Sequence, residues 1–402
     1  MEPRVVITGI GLRTSLGGTR EGSWAAMKAG RSAAQFLDDR APADPPYAGF
    51  PHSQADIRAY GHQFKAAREA IDDAGIGPGA AIDRDRIGTV FGYSKGDITQ
   101  LRCNQRLQFN GHTGAFRGWW DIPWPNGFAS KYADTWDFRG PCLAPIAACA
   151  TGVVAALRGM MLIREGVCDI VLVGAGDSQL DPFVLAAFRK MRAFAHVDGD
   201  PAVAVRPWDS RRSGFLPGEG GAVLILERED HARARGILPY AALCGGAMGS
   251  DAHHITDLNP DPSNLAGLIG RALQDADLQT SDIDHINVHG TATHQNDPLE
   301  CRAIRRAFGP HADTLSCSAN KAQIGHLLGA SGAAELAITC LAIRDGFIPP
   351  TLNLDDPDPA CDLDGTPHVG KPRAIRAALK LSIGFGGHLA AAVLSRPDGA
   401  RR

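Results

Sequence analysis

Short apolar runs closed by glycine alternate with longer segments of helical period along the 402 residues of the chain. Val5-Val6-Ile7-Thr8-Gly9-Ile10-Gly11 reads as a buried strand and turn, and Ile87 to Gly92 as a second strand. Phe64 to Ala74 carries an amphipathic helix pattern ended by Gly75. Cys168 to Gly174 is apolar without alternation, the pattern of a strand covered on both faces, and Ala222 to Glu227 predicts a further strand. Ile283 to Val288 predicts another, and Ala377 to Leu394 a final hairpin. Two helical runs, Val153 to Ile163 and Ala330 to Ile343, predict buried helices; the first is apolar almost all round. Residues 37 to 58 are rich in Pro, Ala and Asp and read as a surface loop. From Asp97 to Asp137 the period is lost and Trp119, Trp120, Trp124 and Trp136 gather. Such an insertion suits a substrate pocket, a subunit interface or simple packing over the core.

The two buried helices are related by more than pattern. Ala150-Thr151-Gly152 corresponds to Ala330-Ser331-Gly332, and Ile163-Arg-Glu-Gly166 to Ile343-Arg-Asp-Gly346, all at an offset of 180 positions. Both halves later reach a glycine-rich turn feeding a strand, Gly218 to Glu227 and Gly384 to Leu394. An internal duplication follows, with halves 1–237 and 238–402 and the two helices face to face about a pseudo-twofold axis. Where the first half has Cys149, the second has Gly329.

Composition narrows the class. A chain of this length, 44% apolar and 21% charged, fits a soluble α/β enzyme of two domains or one duplicated unit. A net charge of −3 gives no reason to expect nucleic acid or a membrane surface as partner, and no uncharged apolar run approaches a membrane span. Nine cysteines without a C-x-x-C pair indicate neither a disulfide framework nor a zinc ribbon, so a reducing cytoplasm is expected. Met1 to Arg4 runs straight into a strand pattern, which leaves no room for a signal peptide.

Cys149 sits where an extended apolar segment gives way to the first buried helix. A thiol in a first turn feels the positive end of the backbone dipole and free N–H groups, which favour the thiolate. The same residue also packs well as a small hydrophobe. His289 ends the strand Ile283 to Val288 and opens the polar loop His289-Gly-Thr-Ala-Thr-His-Gln-Asn-Asp297, at a strand end of the kind where α/β proteins place reactive groups. His326 lies just before the second buried helix. One cysteine and two histidines near the ends of core elements suit acyl chemistry: the thiol holds the acyl group and neutral imidazoles donate hydrogen bonds to an enolate or oxyanion. A metal is disfavoured, because His285 and His289 share a strand face without an H-E-x-x-H pattern and His253-His254 reads as surface.

Five blocks together resemble the elongating β-ketoacyl-acyl carrier protein synthases, condensing enzymes of the thiolase fold, over essentially the whole chain. They are AACATG around Cys149, RPWD with GFLPGEGG at 206 to 221, HGTATHQND at 289 to 297, NKAQIGHLLGASGAAE at 320 to 335 and GFGG at 384 to 387. The resemblance implies duplicated βαβαβαββ halves in a five-layered αβαβα arrangement. It also implies a site in which Cys149 accepts an acyl chain from a phosphopantetheine arm, with the N–H groups of Cys149 and Phe385 as oxyanion hole. His289 and His326 would support decarboxylation of malonyl-acyl carrier protein, giving a β-ketoacyl product. Lys321 and Glu335 match a buried ion pair that orients His326, and Thr291 and Thr293 match hydroxyls on the pantetheine amides. Asp297 and Gly386 are carried over as substrate-binding positions, and Phe385 as the ring that gates the acyl pocket. No permanently bound cofactor is implied; the partners implied are an acyl carrier protein and a second copy in a homodimer, with a heterodimer as the variant. Lys65, Arg68, Arg211 and Arg212 are candidates for a basic patch facing the carrier protein.

Ile383, His388 and Leu389 depart from the family around the glycine turn, as do the tryptophans. These point to a specialised, secondary-metabolite member of the fatty acid or polyketide synthases. A catalytically silent partner subunit of the chain-length-factor kind is the alternative, which Cys149 opposes. The second histidine opposes a starter-unit synthase, and GFGGH near the C-terminus opposes a thiolase.

Overall fold

A computed structural model describes residues 2–37, 46–51, 59–96, 98–111, 124–177 and 180–399. Ten strands form one continuous sheet: β1 (Val5–Arg13), β2 (Ile87–Tyr93), β3 (Cys142–Leu143), β4 (Ile170–Asp177), β5 (Gly220–Arg228), β6 (Ala241–Ser250), β7 (Ile283–Asn287), β8 (Ser316–Ser318), β9 (Ala377–Gly384) and β10 (His388–Ser395). Their spatial order is β8-β7-β9-β10-β6-β1-β5-β4-β2-β3. Read outward from the centre, each half runs through equivalent strands. β1, β5, β4, β2 and β3 on one side match β6, β10, β9, β7 and β8 on the other. Pairing directions repeat too: β2 is parallel to β3 and β4 as β7 is to β8 and β9, and the remaining pairs are antiparallel. The halves join where Val6 pairs with Ala242 and Ile7 with Ala241.

The helices between the strands repeat as well. α1 (Ala59–Asp73) packs on β1 and β5, and α3 (Ser263–Asp275) on β6 and β10, as outer layers. α2 (Thr151–Arg164) and α5 (Ser331–Asp345) lie between the two halves of the sheet, and α4 (Asn296–Phe308) packs beside α3. The result is the five-layered αβαβα thiolase fold. The apolar runs explain the middle layer: every residue of α5 from Ser331 to Ile343 is buried, including Glu335. Such helices have no polar face to turn to water, so they are stable only between two sheets.

The described residues alter three of the sequence expectations. Tyr47, Ala48 and Phe50, within the stretch read as a surface loop, are buried, and Phe50 exchanges backbone hydrogen bonds with the 217–219 segment. The stretch without period contains helices at Ile98–Phe109 and Gly127–Trp136. Trp136 stacks on Phe64 in the core under α1, whereas Trp124 is exposed. Trp119 and Trp120 lie outside the described residues.

Candidate active site

Cys149 occupies a tight turn, Ala148–Ala150, that leads directly into α2. The turn is strained: Ala148 has φ +45°, in the left-handed region that a side chain disfavours. Thr151 pays back part of that cost, with its hydroxyl accepting from the Ala147 N–H at 2.9 Å and donating to the Ala148 carbonyl at 2.7 Å. The second half repeats the turn at Leu328–Ala330, with Leu328 at φ +49°. There the position of Cys149 is taken by Gly329, where a Cβ would stand 2.8 Å from Ser94 Cβ and 2.9 Å from Asp177 Oδ2. The second turn has no room for a side chain.

A cavity of about 480 Å³ opens over Cys149 and is also lined by His289, His326, Thr291, Thr293 and Phe385. The structure thus brings together the cysteine and both histidines from distant parts of the chain. The two imidazoles lie 5.5 Å apart edge to face. His326 is held on several sides. Its backbone N–H donates to the Leu216 carbonyl at 2.8 Å and its carbonyl accepts from Gly218 at 3.0 Å, so the glycine-rich block clamps its main chain. Gly218 must be glycine, since a Cβ would lie 2.4 Å from the Ile324 carbonyl oxygen. Around the ring, Phe215 packs edge-on at 4.8 Å. Nδ1 of His326 accepts from the Leu328 N–H at 3.2 Å and contacts the Ser331 hydroxyl at 2.8 Å. Because a backbone N–H can only donate, Nδ1 is the acceptor and the neutral ring carries its proton on Nε2. Burial, reinforced by the Lys321 charge, holds both His289 and His326 well below the ordinary histidine value, so both rings are neutral.

Lys321 and Glu335 stand behind the cavity. They form a fully buried pair at 2.7 Å, and Lys321 Nζ also donates to the His289 carbonyl. The resemblance implies that this pair orients His326. In the structure it grips the backbone of His289, and His326 takes its orientation from Ser331 and Leu328. Asp297 is likewise placed differently from a substrate-binding residue: it is fully buried and accepts from the Trp208 N–H at 2.8 Å and from Asn296 at 3.1 Å, tying the RPWD block to α4. Gly386 is exposed in the β9–β10 turn at φ +82° and donates its N–H to the Ile255 carbonyl, with no face on the cavity. Thr291 and Thr293 share a 2.9 Å hydrogen bond at the cavity wall.

The thiol itself departs from expectation. Burial pushes Cys149 up to about 11, while the Lys321 and Lys95 charges and a hydrogen bond from the Phe385 N–H pull the other way. At rest it is a thiol, and the helix terminus does not overcome the loss of water around it. The hydrogen bond from Phe385 also places that N–H beside the sulfur, where an acyl oxygen would lie.

Several residues in this region are missing from the sequence expectation. Phe188 stacks on Phe385 at 6.4 Å and meets Phe215 edge-on at 5.8 Å, so phenylalanines and not the described tryptophans wall the space around Cys149. Glu300 receives the N–H groups of His289 and Gly290. Lys380 lies in the middle of β9 at 2.6 Å from Glu335. A charged residue inside the wholly buried run Ala377 to Gly384 is the one signal that local pattern offered.

The beta-ketoacyl synthase N-terminal domain model matches residues 35–232 and the C-terminal domain model residues 240–355. The chain belongs to the beta-ketoacyl synthase family. The ketoacyl synthase alpha subunit of the tetracenomycin polyketide synthase from Streptomyces glaucescens is 39% identical over 100% of this chain and 99% of that protein. The 3-oxoacyl-[acyl-carrier-protein] synthase 2 of Coxiella burnetii is 33% identical over 98% of both. Among solved structures, a type II polyketide synthase acyl-carrier protein in complex with its ketosynthase bound to the hexaketide matches with TM-score 0.92 and 30% identity. That match covers 98% of this chain and 100% of that one. The ishigamide ketosynthase/chain length factor matches with TM-score 0.88 at 29% identity over 98% and 100% of the two chains. This synthase is therefore a condensing enzyme of the kind that serves polyketide or fatty acid synthesis. Among its described residues no helix is long and apolar enough to cross a membrane.

Proposed function

We propose that this synthase forms a β-ketoacyl-acyl carrier protein by decarboxylative condensation of an acyl group held on Cys149 with malonyl-acyl carrier protein. The observation that carries this reading is the convergence of Cys149 with two neutral histidines on one cavity. In the first half-reaction Cys149 Sγ attacks the thioester carbonyl, the bond to the pantetheine sulfur breaks, and the thiol proton leaves with the pantetheine thiol. The N–H groups of Cys149 and Phe385 receive the oxyanion. In the second, the malonyl C–C bond breaks and CO₂ departs. The electron pair is held as an enolate by Nε2–H of His326 and by His289, then forms the new C–C bond to the acyl carbon, and the Cys149 sulfur leaves as a thiolate that takes up a proton from solvent to restore the thiol. Neutral imidazoles suit this step, because a hydrogen bond to a developing enolate needs a donor and no full proton transfer.

Thr291 and Thr293 on the cavity wall are suited to the amides of a pantetheine arm, the only cofactor this chemistry needs, delivered by the carrier protein. At the rim, the exposed Arg192 has no ion-pair partner among the described residues, which favours an acidic carrier. The other basic candidates are less suited: Arg212 is buried against Asp358, Arg211 pairs with Asp209 and Asp355, and Lys65 and Arg68 share a depression with Glu69, Asp72 and Asp73. We place the division of labour at a 1–237 half supplying the nucleophile and a 238–402 half supplying both histidines. Dimer formation, with a second copy or with a chain-length-factor type partner, is supported by β3, an edge strand followed by the exposed Ile146. The thiol facing the cavity favours the catalytic reading over a silent subunit. Incubation with acyl and malonyl carrier-protein thioesters should give a Cys149-linked acyl adduct by intact mass and a β-ketoacyl product. Absence of the adduct, or full activity in Cys149→Ala, would overturn the proposal.

A further inference from the structure

Every residue of β9 is buried, and one of them is a lysine. An ammonium group sealed between two layers needs charged and hydrogen-bonding partners close by. Lys380 finds Glu335 Oε2 at 2.6 Å and donates to the Val288 carbonyl at 3.3 Å. Lys321 does the same one residue on: it sits 2.7 Å from Glu335 Oε1 and donates to the His289 carbonyl. One carboxylate thus bridges two lysines that hold consecutive carbonyls. On the amide side, Glu300 accepts from His289 N–H at 2.5 Å and from Gly290 N–H at 2.9 Å. The ring of His289 is unlike that of His326, for its Nδ1 has no hydrogen-bond partner among the described residues. Its pose therefore follows its main chain, which Lys321 and Glu300 hold directly, with Lys380 on the preceding carbonyl and Glu335 between the two lysines. Glu335 would stay paired with Lys321 if Lys380 were removed, so charge balance on Glu335 does not by itself require the second lysine.

We propose that Lys380 is a positioning residue for His289, fixing the imidazole for the malonyl half-reaction and leaving the acyl half-reaction to Cys149 and the oxyanion donors. This rests on the condensing function proposed above. The test is Lys380→Met, with each half-reaction followed separately: acylation of Cys149 by intact mass, and CO₂ release from malonyl-acyl carrier protein. We expect acylation within about twofold of the parent and decarboxylation slower by about tenfold to a hundredfold, the scale of an angstrom-level misplacement. Partial recovery is expected in Lys380→Arg. Equal loss in both half-reactions, or no loss in either, overturns the inference. If Lys380→Met does not fold, Lys380→Gln is judged by the same criterion. A readout independent of turnover is the ring ¹⁵N spectrum of histidine-labelled protein, in which His289 should shift by more than His326, whose ring feels the Lys380 charge but is held by Ser331 and Leu328. Unmoved His289 signals would refute the lysine's role even in a chain that turns nothing over, whereas absence of turnover in the parent would refute only the condensing function.

Discussion

Gly152 and Gly332 face the opposite helix across the centre of the molecule. A Cβ on Gly152 would stand 2.1 Å from Ala333 N, and one on Gly332 2.8 Å from Val153 N. The two glycines are equivalent under the 180-residue offset, so the contact is the same one seen from both halves. It lets α2 and α5 touch backbone to backbone and carries the Cys149 turn with them.

Gly152→Ala should therefore destabilise the protein by about 3 kcal/mol, since the obstacle is main chain that cannot swing aside. Gly270→Ala, on the exposed side of α3 with open space around it, should instead stabilise by up to about 1 kcal/mol through helix propensity. Denaturant unfolding midpoints of the two variants check this. Similar shifts in both would show that the helix contact is less tight than described.

Acid should unfold the protein steeply. His289 and His326 lie well below 6.5 and His285 at about 4, all because burial penalises their charged forms. The unfolded chain takes up three histidine protons that the folded one refuses, so this stability is present above about 6.5 and is lost as pH falls. Glu300, raised to about 7 by burial, opposes them with one proton bound in the folded state. About two protons net remain, which gives a loss of roughly 3 kcal/mol per pH unit between about pH 6 and pH 5. Urea unfolding at the two pH values measures it, and a flat response would mean that the rings are charged in the folded state.

The Cys149 thiol, at about 11, should alkylate slowly and without a plateau near its ordinary value. Its rate with iodoacetamide, resolved by peptide mass spectrometry, should rise about tenfold per unit from pH 7 to pH 9. A plateau below about pH 8 would show that the helix terminus prevails over burial in the resting enzyme.

The buried elements were the legible ones. β4, α2 and α5 are buried and announce themselves as apolar runs, and Cys149, His289 and His326 stand out near the ends of α2, β7 and α5. α3 and β6 passed unnoticed: β6 is rich in glycine and only partly buried, so its composition carries no clear period.

From the sequence alone came Cys149 and both histidines as candidate site residues, the duplication and the family, because each is written in local pattern or in motif. Only the tertiary structure decided what those residues lean on. Lys380 joins Lys321 on Glu335, Phe188 reaches Phe385, and Asp297 turns to Trp208, between positions far apart in the chain. Such contacts depend on which faces the layers bring together, and spacing along the chain does not encode that. The same holds for the state of Cys149: its helix terminus is visible in the sequence, but the burial that outweighs it exists only in the folded protein.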